Sequence, residues 1–184
     1  IHEEFIDKAN SNAWLMVAEN LHEQALFLYQ NRKDMIGHID HRKNTKIYRY
    51  TVNRSVYLLG GFALENALKA FLVYENPSWI SNGRMSKSLK THSLIELKSK
   101  CVNVPYKTKY NKVLRAFEEG LESWARYPCS LSSEDAFDEG VFSGDLLQKY
   151  NILMNAYIKK LKSLLVKEWR GPHGYRCSWR FIEY

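Results

Sequence analysis

Two charged residues within an otherwise apolar stretch have the types and spacing for acid–base or binding chemistry. Glu65 and Lys69 are four residues apart, and Gly61 precedes Glu65 by the same interval, so in a helix all three lie on one face. Glycine inside a helix costs about 1 kcal/mol relative to alanine. The Gly60-Gly61 pair therefore indicates either a close helix–helix contact or room for a ligand. Because an unpaired buried charge is costly, Glu65 and Lys69 must either pair or line a hydrated groove.

A histidine at the predicted start of a helix is a second candidate. His92 follows Lys90 and Thr91 and precedes Ser93-Leu94-Ile95-Glu96, a sequence that matches a capping box. A neutral imidazole in this position could hydrogen-bond to a substrate or act as a general base. The alternative is an ordinary histidine in a capping segment.

The sequence Trp124-Ala-Arg126-Tyr127-Pro128 places a guanidinium and a phenol at a helix end. Arginine is a natural partner of phosphate or carboxylate groups, so Arg126 and Tyr127 are candidate binding residues. Arg126 equally suits the last carbonyl groups of a helix that Pro128 ends.

A metal site is the weaker interpretation of His38-Ile-Asp40-His41. A complete ligand set is not evident in the sequence, so we expect no metal. The sequence also lacks the Gly-x-Gly-x-x-Gly, Walker, Gly-x-Ser-x-Gly and His-Glu-x-x-His motifs, and we expect no cofactor.

The net charge of +7 is unevenly distributed. Residues 32–54 hold seven Lys/Arg against two Asp (+5), residues 84–112 hold eight Lys/Arg against one Glu (+7), and residues 118–139 hold seven acids against one Arg (−6). A polarised basic surface favours nucleic acid or another polyanion as partner. The alternative is ordinary solvated charge.

Three well-separated cysteines favour a reducing compartment, so we expect a cytoplasmic protein. The longest strongly apolar run, Ser55–Leu64, has ten residues, too few to span a bilayer. We therefore expect no membrane association.

Apolar residues at helical spacing predict about five helices. The predicted helices are Glu3–Tyr29, a very apolar central helix at Asn53–Tyr74 with Asn53 as N-cap, a short helix from Thr91 or Ser93, a fourth from Pro105 to about Arg126, and Gly144–Trp169. Loops are predicted at Asn31–Val52 and Ser78–Lys90, with Lys46–Val52 briefly extended, and an acidic connector at Ser130–Ser143. The predicted fold is an all-α antiparallel helical bundle of residues 1–172.

The C-terminal segment, residues 173–184, alternates aromatic and polar residues, which is typical of an extended chain. Its aromatic residues either stack on nucleic-acid bases or fold back onto the core. The segment is predicted to be an irregular tail packed on the bundle or extending from it.

Three motifs in this order resemble the pattern of the HEPN (higher eukaryotes and prokaryotes nucleotide-binding) superfamily. They are Gly61-x-x-x-Glu65-x-x-Leu68-Lys69-Ala70, Thr91-His92-Ser93-Leu94-Ile95-Glu96-Leu97 and Trp124-Ala-Arg126-Tyr127-Pro128. The resemblance centres on Asn53–Pro128. It implies a helical homodimer that associates with RNA or nucleotides, with an antitoxin or a nucleotidyltransferase as partner.

Many members of that superfamily are ribonucleases of prokaryotic toxin–antitoxin or phage-defence systems, and others are non-catalytic. Catalytic members carry Arg-x4-6-His, and here only Arg32 and His38 have that spacing, in a predicted loop. The resemblance thus implies a metal-independent ribonuclease with His92 or His38 as base and Arg126 or Arg32 stabilising phosphate charge. Gly61, Glu65, Lys69 and Tyr127 would contribute binding. The alternative is a non-catalytic binding or interaction module that forms a helical dimer.

Overall fold

The computed structural model describes residues 2–127 and 144–182 and is mainly α-helical. Its helices are α1 His2–Ala9, α2 Ser11–Gln30, α3 Asn53–Glu75, α4 Leu94–Lys100, α5 Asn111–Glu119, continued by a π-helical turn Gly120–Trp124, and α6 Gly144–Leu165. Three antiparallel strand pairs are β1 Met35–Asp40 with β2 Thr45–Tyr50, β3 Ile80–Ser81 with β4 Arg84–Met85, and β5 Trp169–Arg170 with β6 Arg176–Cys177.

The central helix α3 forms the core, as its apolar composition predicts. It packs most extensively against α2 and also contacts α4, α5 and α6. This helix is long and apolar enough to cross a membrane. The length of the uninterrupted apolar run Ser55–Leu64 therefore underestimates how apolar the whole helix is. However, 78% of its most apolar stretch is buried inside the fold, which is the environment of a core helix.

The Gly60-Gly61 pair of α3 accommodates a close helix contact. A Cβ atom at Gly60 would lie 2.6 Å from Phe117 Cε1, and one at Gly61 would lie 2.8 Å from Leu121 Cγ. Of the two explanations for this pair, close packing against α5 and the π-helical turn is therefore the one that the structure supports.

The first predicted helix is divided in two. Asn10 interrupts it, because its side chain accepts a hydrogen bond from the Ala13 backbone N–H (3.0 Å) and so caps α2. The hydroxyl of Ser11 then donates to the Ala70 carbonyl oxygen of α3 (2.8 Å). This bond fixes the start of α2 against the second half of the central helix.

The predicted loop Asn31–Val52 is wrong at β1, whereas the extended segment predicted at Lys46–Val52 is confirmed over most of its length by β2, and the two strands form a hairpin. Its register pairs Ile36 with Arg49 and His38 with Ile47 on one face, and Gly37 with Tyr48 on the other. Only the last residue of each strand, Asp40 in β1 and Tyr50 in β2, is partly buried. Because neither face packs into the core, the strands lack the one-sided apolar alternation that identifies a half-buried strand.

The predicted N-cap at Ser93 is correct. Helix α3 begins at Asn53 as predicted, but Asn53 is not its N-cap, and the start predicted for the fourth helix is wrong. The Ser93 hydroxyl accepts from the Glu96 N–H (3.2 Å) as the N-cap of α4. Val52 rather than Asn53 precedes α3, without a side-chain cap. Helix α5 begins at Asn111 rather than Pro105, since Tyr106 has a φ of +58°, which a right-handed helix does not allow.

Two aromatic side chains of the predicted tail, Trp179 and Phe181, pack against the core, while Tyr175 is exposed. Trp169, which precedes the tail, also packs there. The Trp169 ring stacks on Tyr74 with 5.2 Å between centroids, and its Nε1 donates to the Tyr74 carbonyl oxygen (2.9 Å). The Trp179 N–H donates to the Leu165 carbonyl oxygen (2.9 Å). Helix α6 ends at Leu165, four residues before the predicted Trp169. The predicted acidic connector lies outside the described residues.

Candidate functional site

Three of the predicted site residues meet in one cluster, Glu65, Lys69 and His92, called the Glu65 cluster below. Lys69 Nζ lies 2.6 Å from Glu65 Oε1, and His92 Nδ1 lies 2.9 Å from Glu65 Oε2. Both carboxylate oxygens are therefore engaged, one by an ammonium group and one by an imidazole ring. The two alternatives for Glu65 and Lys69 are resolved in favour of pairing.

The cluster reaches from the core to the surface. The Glu65 and Lys69 side chains are 5% and 8% exposed, whereas the His92 side chain is 65% exposed. The Lys69 ammonium group also lies 5.5 Å from the centroid of the Trp14 ring, a cation–π contact with α2. A buried ion pair thus carries an imidazole at its outer end.

The hydrogen bond to Glu65 defines which nitrogen of His92 is basic. A carboxylate only accepts hydrogen bonds, so Nδ1 carries the proton. In the neutral ring Nε2 is then unprotonated, and no residue of the described part of the chain hydrogen-bonds to it. A carboxylate that orients an imidazole whose other nitrogen is available is the arrangement of a general base.

The turn that carries His92 is held on both sides. Thr91 Oγ1 accepts from the Ser93 N–H (3.1 Å), and Thr91 in turn donates to Glu96 Oε2 (3.1 Å). Glu118 Oε2 of α5 accepts from both the Ser93 hydroxyl (2.9 Å) and the Ile95 N–H (2.8 Å). His92 is therefore exposed on a fixed backbone.

The basic segment 84–112 surrounds this turn in sequence and is largely on the surface. Six of its eight cations are exposed: Arg84, Lys87, Lys90, Lys107, Lys109 and Lys112. Lys98 is buried, where it donates to the Asn111 side chain, and desolvation lowers its pKa. Lys100 pairs with Glu96.

Arg126 and Tyr127 lie apart from the Glu65 cluster. The exposed Arg126 guanidinium stands 5.6 Å from the Tyr127 ring centroid, and within residues 2–127 and 144–182 it has no hydrogen bond or ion pair with Glu65 or His92. The Tyr127 carbonyl oxygen accepts from the Arg54 guanidinium at the start of α3. Glu65 lies eleven residues further along α3, a rise of about 16 Å.

Arg32 lies beside the hairpin and His38 lies within it, both at the same end of α3 as Arg54. The Arg32 guanidinium covers the Tyr29 ring at 3.7 Å and the Tyr50 ring at 4.8 Å, and it donates to the Tyr29 carbonyl oxygen. His38 is exposed on β1. The structure therefore divides the predicted residues between two regions, the Glu65 cluster and the hairpin end.

The metal alternative gains no support from the hairpin. Across the described ranges, no group of three or more His, Cys, Asp or Glu side chains is arranged to hold an ion. Asp40 instead pairs with Arg42 (3.2 Å), and this hydrogen-bonded pair lowers the Asp40 pKa.

Two residues with structural importance were not identified from the sequence. Glu118 was counted only as part of an acidic run, and nothing in the spacing linked it to His92. His22 is buried and its Nδ1 lies 2.9 Å from the Tyr150 hydroxyl oxygen. Its position on the apolar face of α2, seven residues after Leu15, could have indicated a buried histidine.

The surroundings of His22 favour its neutral form. Desolvation lowers the His22 pKa below 6.5, and a hydrogen bond with the Asn151 side chain raises it by less. Burial raises the Tyr150 pKa, so the Tyr150 hydroxyl stays protonated and hydrogen-bonds with His22 Nδ1. This pair joins α2 to α6 inside the core.

Comparisons of the chain with protein-family models, with curated proteins and with solved structures found no match.

Proposed function

We propose that this chain is an RNA-acting protein of the HEPN type, in which the Glu65 cluster performs metal-independent RNA cleavage in a prokaryotic defence or toxin system. In this proposal the helices form an antiparallel bundle around α3. One observation carries the enzymatic part: an exposed His92 imidazole whose Nδ1 is held by a buried carboxylate.

The proposed reaction uses the ribose of the RNA as nucleophile. His92 Nε2 accepts the proton of a 2′-hydroxyl, and the 2′-oxygen attacks the adjacent phosphorus. The bond from phosphorus to the 5′-oxygen breaks, leaving a 2′,3′-cyclic phosphate. The departing 5′-oxygen takes a proton from water. Glu65 orients the ring and stabilises its protonated form, and Lys69 balances the buried carboxylate charge.

The exposed cations of residues 84–112 supply the field that attracts an RNA backbone toward His92. Arg126, which the resemblance assigns to stabilising phosphate charge, has no hydrogen bond or ion pair with Glu65 or His92 among the described residues. We therefore assign no catalytic role to Arg126 and propose phosphate binding by the lysines around His92.

A specific observation favours the alternative, a non-catalytic binding module. Glu65 and Lys69 are almost fully buried and neutralise each other, so the pair can serve as a structural connection between α3 and the His92 turn. In that case the chain binds a nucleotide, RNA or a partner without turnover.

The test is cleavage of labelled single-stranded RNA with EDTA present. We expect cleavage by wild type and a reduction of about 10²–10⁴-fold in His92→Ala, the range for loss of a general base. His41→Ala is the matched control, because it removes another exposed histidine and should cleave normally. Arg126→Ala should also retain activity.

Two results would contradict the enzymatic proposal: no cleavage by wild type, or equal cleavage by wild type and His92→Ala. RNA binding without cleavage would support the binding module instead. We also propose a cytoplasmic location, which the three separated cysteines favour. The resemblance further implies a homodimer with an antitoxin or a nucleotidyltransferase as partner. Sedimentation of the purified chain, and co-expression with neighbouring open reading frames, test these two points.

A further inference from the structure

One face of the β1–β2 hairpin combines exposed apolar, aromatic and cationic side chains. In an antiparallel pair, residues that lie directly opposite each other project to the same side of the sheet. The register therefore gathers six residues on one side: Met35, Gly37 and Ile39 of β1 opposite Tyr50, Tyr48 and Lys46 of β2. This side is called the Tyr48 face below.

The apolar side chains of the Tyr48 face are open to solvent. Tyr48 is 61% exposed, and Met35 and Ile39 are each 48% exposed. Both are diagonal cross-strand neighbours of Tyr48, which is close enough for the three side chains to form one surface. Single exposed apolar residues are ordinary on a protein surface, but a contiguous group of them marks a binding surface.

The Tyr48 ring has the surroundings of a stacking platform. Its cross-strand neighbour is Gly37, where a Cβ atom would lie 2.9 Å from Tyr48 Cε1 and 3.2 Å from Tyr48 Cδ1. The ring therefore leans into the space that a side chain at Gly37 would fill, and the glycine supports it from one side. No aromatic or cationic side chain of the described residues contacts this ring. Its other side is available, and a flat nucleobase can stack there.

The charge of the Tyr48 face is positive. Lys46 on this face and Lys43 in the turn between the strands are exposed, and neither side chain has an ion pair or hydrogen bond within the part of the chain that the structure describes. None of the six residues of the face is acidic. Asp40 projects to the opposite side of the hairpin and is paired with Arg42. An ammonium group without a counter-charge suits a phosphate.

The ring and the nearest cation are suitably spaced for one strand of nucleic acid. Lys46 and Tyr48 are two residues apart in β2, roughly 7 Å along the strand, so a base on the ring brings its neighbouring phosphate toward Lys46. In a duplex the bases already stack on one another, and only an unpaired strand offers a free base to an aromatic side chain.

We propose that the Tyr48 face binds a single strand of nucleic acid, with one base stacked on Tyr48 and the adjoining phosphates at Lys46 and Lys43. Met35 and Ile39 border the stacked base. The site is separate from the Glu65 cluster, and it does not rest on cleavage by His92.

The test is fluorescence anisotropy of the full chain with a labelled oligodeoxythymidylate, which lacks the 2′-hydroxyl group and so cannot be cleaved by the reaction proposed above. Oligouridylate with the His92→Ala chain gives the matching measurement for RNA, and the tighter of the two identifies the kind of strand that the site prefers. An abasic strand of the same length should bind at least about fivefold more weakly, because it has no base to stack.

Tyr48→Ala should weaken binding of the oligodeoxythymidylate at least about fivefold, whereas Tyr48→Phe keeps the ring and should stay within about twofold of wild type. Tyr175→Ala is the matched control, because Tyr175 is 59% exposed but belongs to the C-terminal segment. It should bind as wild type does. Circular dichroism should show an unchanged helix content in all three variants.

The contribution of charge is measured from the salt dependence of the same binding. Lys46→Gln should reduce the slope of log K against log salt concentration by about 0.7, the value for one phosphate contact with a single strand. Lys159→Gln is its control, because it removes an exposed charge on α6 and should leave the slope unchanged.

The proposal is overturned if neither strand binds at low salt, if an abasic strand or a duplex binds as tightly, or if Tyr48→Ala and Tyr175→Ala weaken binding equally. It is also overturned if wild type sediments as an oligomer that Tyr48→Ala dissociates, because the Tyr48 face would then be a protein interface. Cleavage assays of the same variants separate the two proposals. Weaker strand binding by Tyr48→Ala, with cleavage intact at saturating RNA, supports the Tyr48 face and leaves the Glu65 cluster as proposed.

Discussion

The Glu65 cluster and the hairpin of β1 and β2 have opposite environments. In the cluster, charge is buried and neutralised, and a single exposed imidazole reaches the surface. In the hairpin, nearly all side chains are exposed, including the apolar side chains of Ile36 and Ile47. Substitutions in the Glu65 cluster should therefore change the free energy of unfolding strongly, while substitutions in the hairpin should change it little.

The largest effect is expected from Glu65→Gln. This change leaves the Lys69 ammonium group buried without its counter-charge, which costs about 3–5 kcal/mol of unfolding free energy. Urea denaturation measures the loss. Glu4→Gln is the control, because Glu4 pairs with Lys8 at the same i,i+4 spacing but on the surface, and it should change stability little. A loss of less than about 1 kcal/mol in Glu65→Gln would show that the cluster is not a folding element.

A pH dependence is expected next, from His22 in the core beside α6. Because burial lowers the His22 pKa below 6.5, the unfolded chain binds this proton at higher pH than the folded chain does. The contribution of neutral His22 to the free energy of unfolding is complete above pH 6.5. It is lost as the pH falls toward the folded-state pKa, by up to about 1.4 kcal/mol per pH unit. Denaturation of wild type and His22→Gln between pH 7.5 and 5 measures the difference. Parallel curves would contradict the assignment.

Two glycines provide a smaller contrast. A Cβ at Gly60 would lie 2.6 Å from Phe117 Cε1, and Phe117 is buried and stacked on Tyr150. Crowding of about 1–3 kcal/mol should therefore exceed the gain in helix propensity of about 1 kcal/mol, and Gly60→Ala should be destabilised. Gly37→Ala is its counterpart in the hairpin. There the Cβ would lie 2.9 Å from the Tyr48 ring, which is 61% exposed and free to move. Thermal melts should show little change for Gly37→Ala, and equal losses would contradict the contrast.

The smallest effect on stability is expected from Ile36→Ser. Ile36 is 65% exposed, so the unfolding free energy should stay within about 0.5 kcal/mol of wild type. A variant that loses more than about 1 kcal/mol would show that the hairpin is part of the folding core.

The sequence predicted what depends on local spacing. The helical face with Gly61, Glu65 and Lys69, the N-cap at Ser93 and the apolar core of α3 are all features that a few neighbouring residues determine. The i,i+4 spacing even identified the partner of Glu65. The second partner, His92, is 27 residues away, and only the family resemblance placed it in the same group.

The hairpin was missed for a physical reason. Residues 35–50 have exposed side chains on both faces, so no consistent apolar face marks the strands. The sequence does not indicate either that Arg126 lies apart from His92. It depends on where Leu121 and Phe117 pack against α3, and that packing is tertiary.

The two hydrogen bonds that Glu118 accepts have a dynamic consequence. They join the first turn of α4 to α5, so neither element can open locally without releasing the other. Local unfolding occurs in cooperative units, and these two helices with the His92 turn should constitute one. Their amide protons should then exchange with solvent at a common rate, and breaking the Glu118 contact would divide that unit in two.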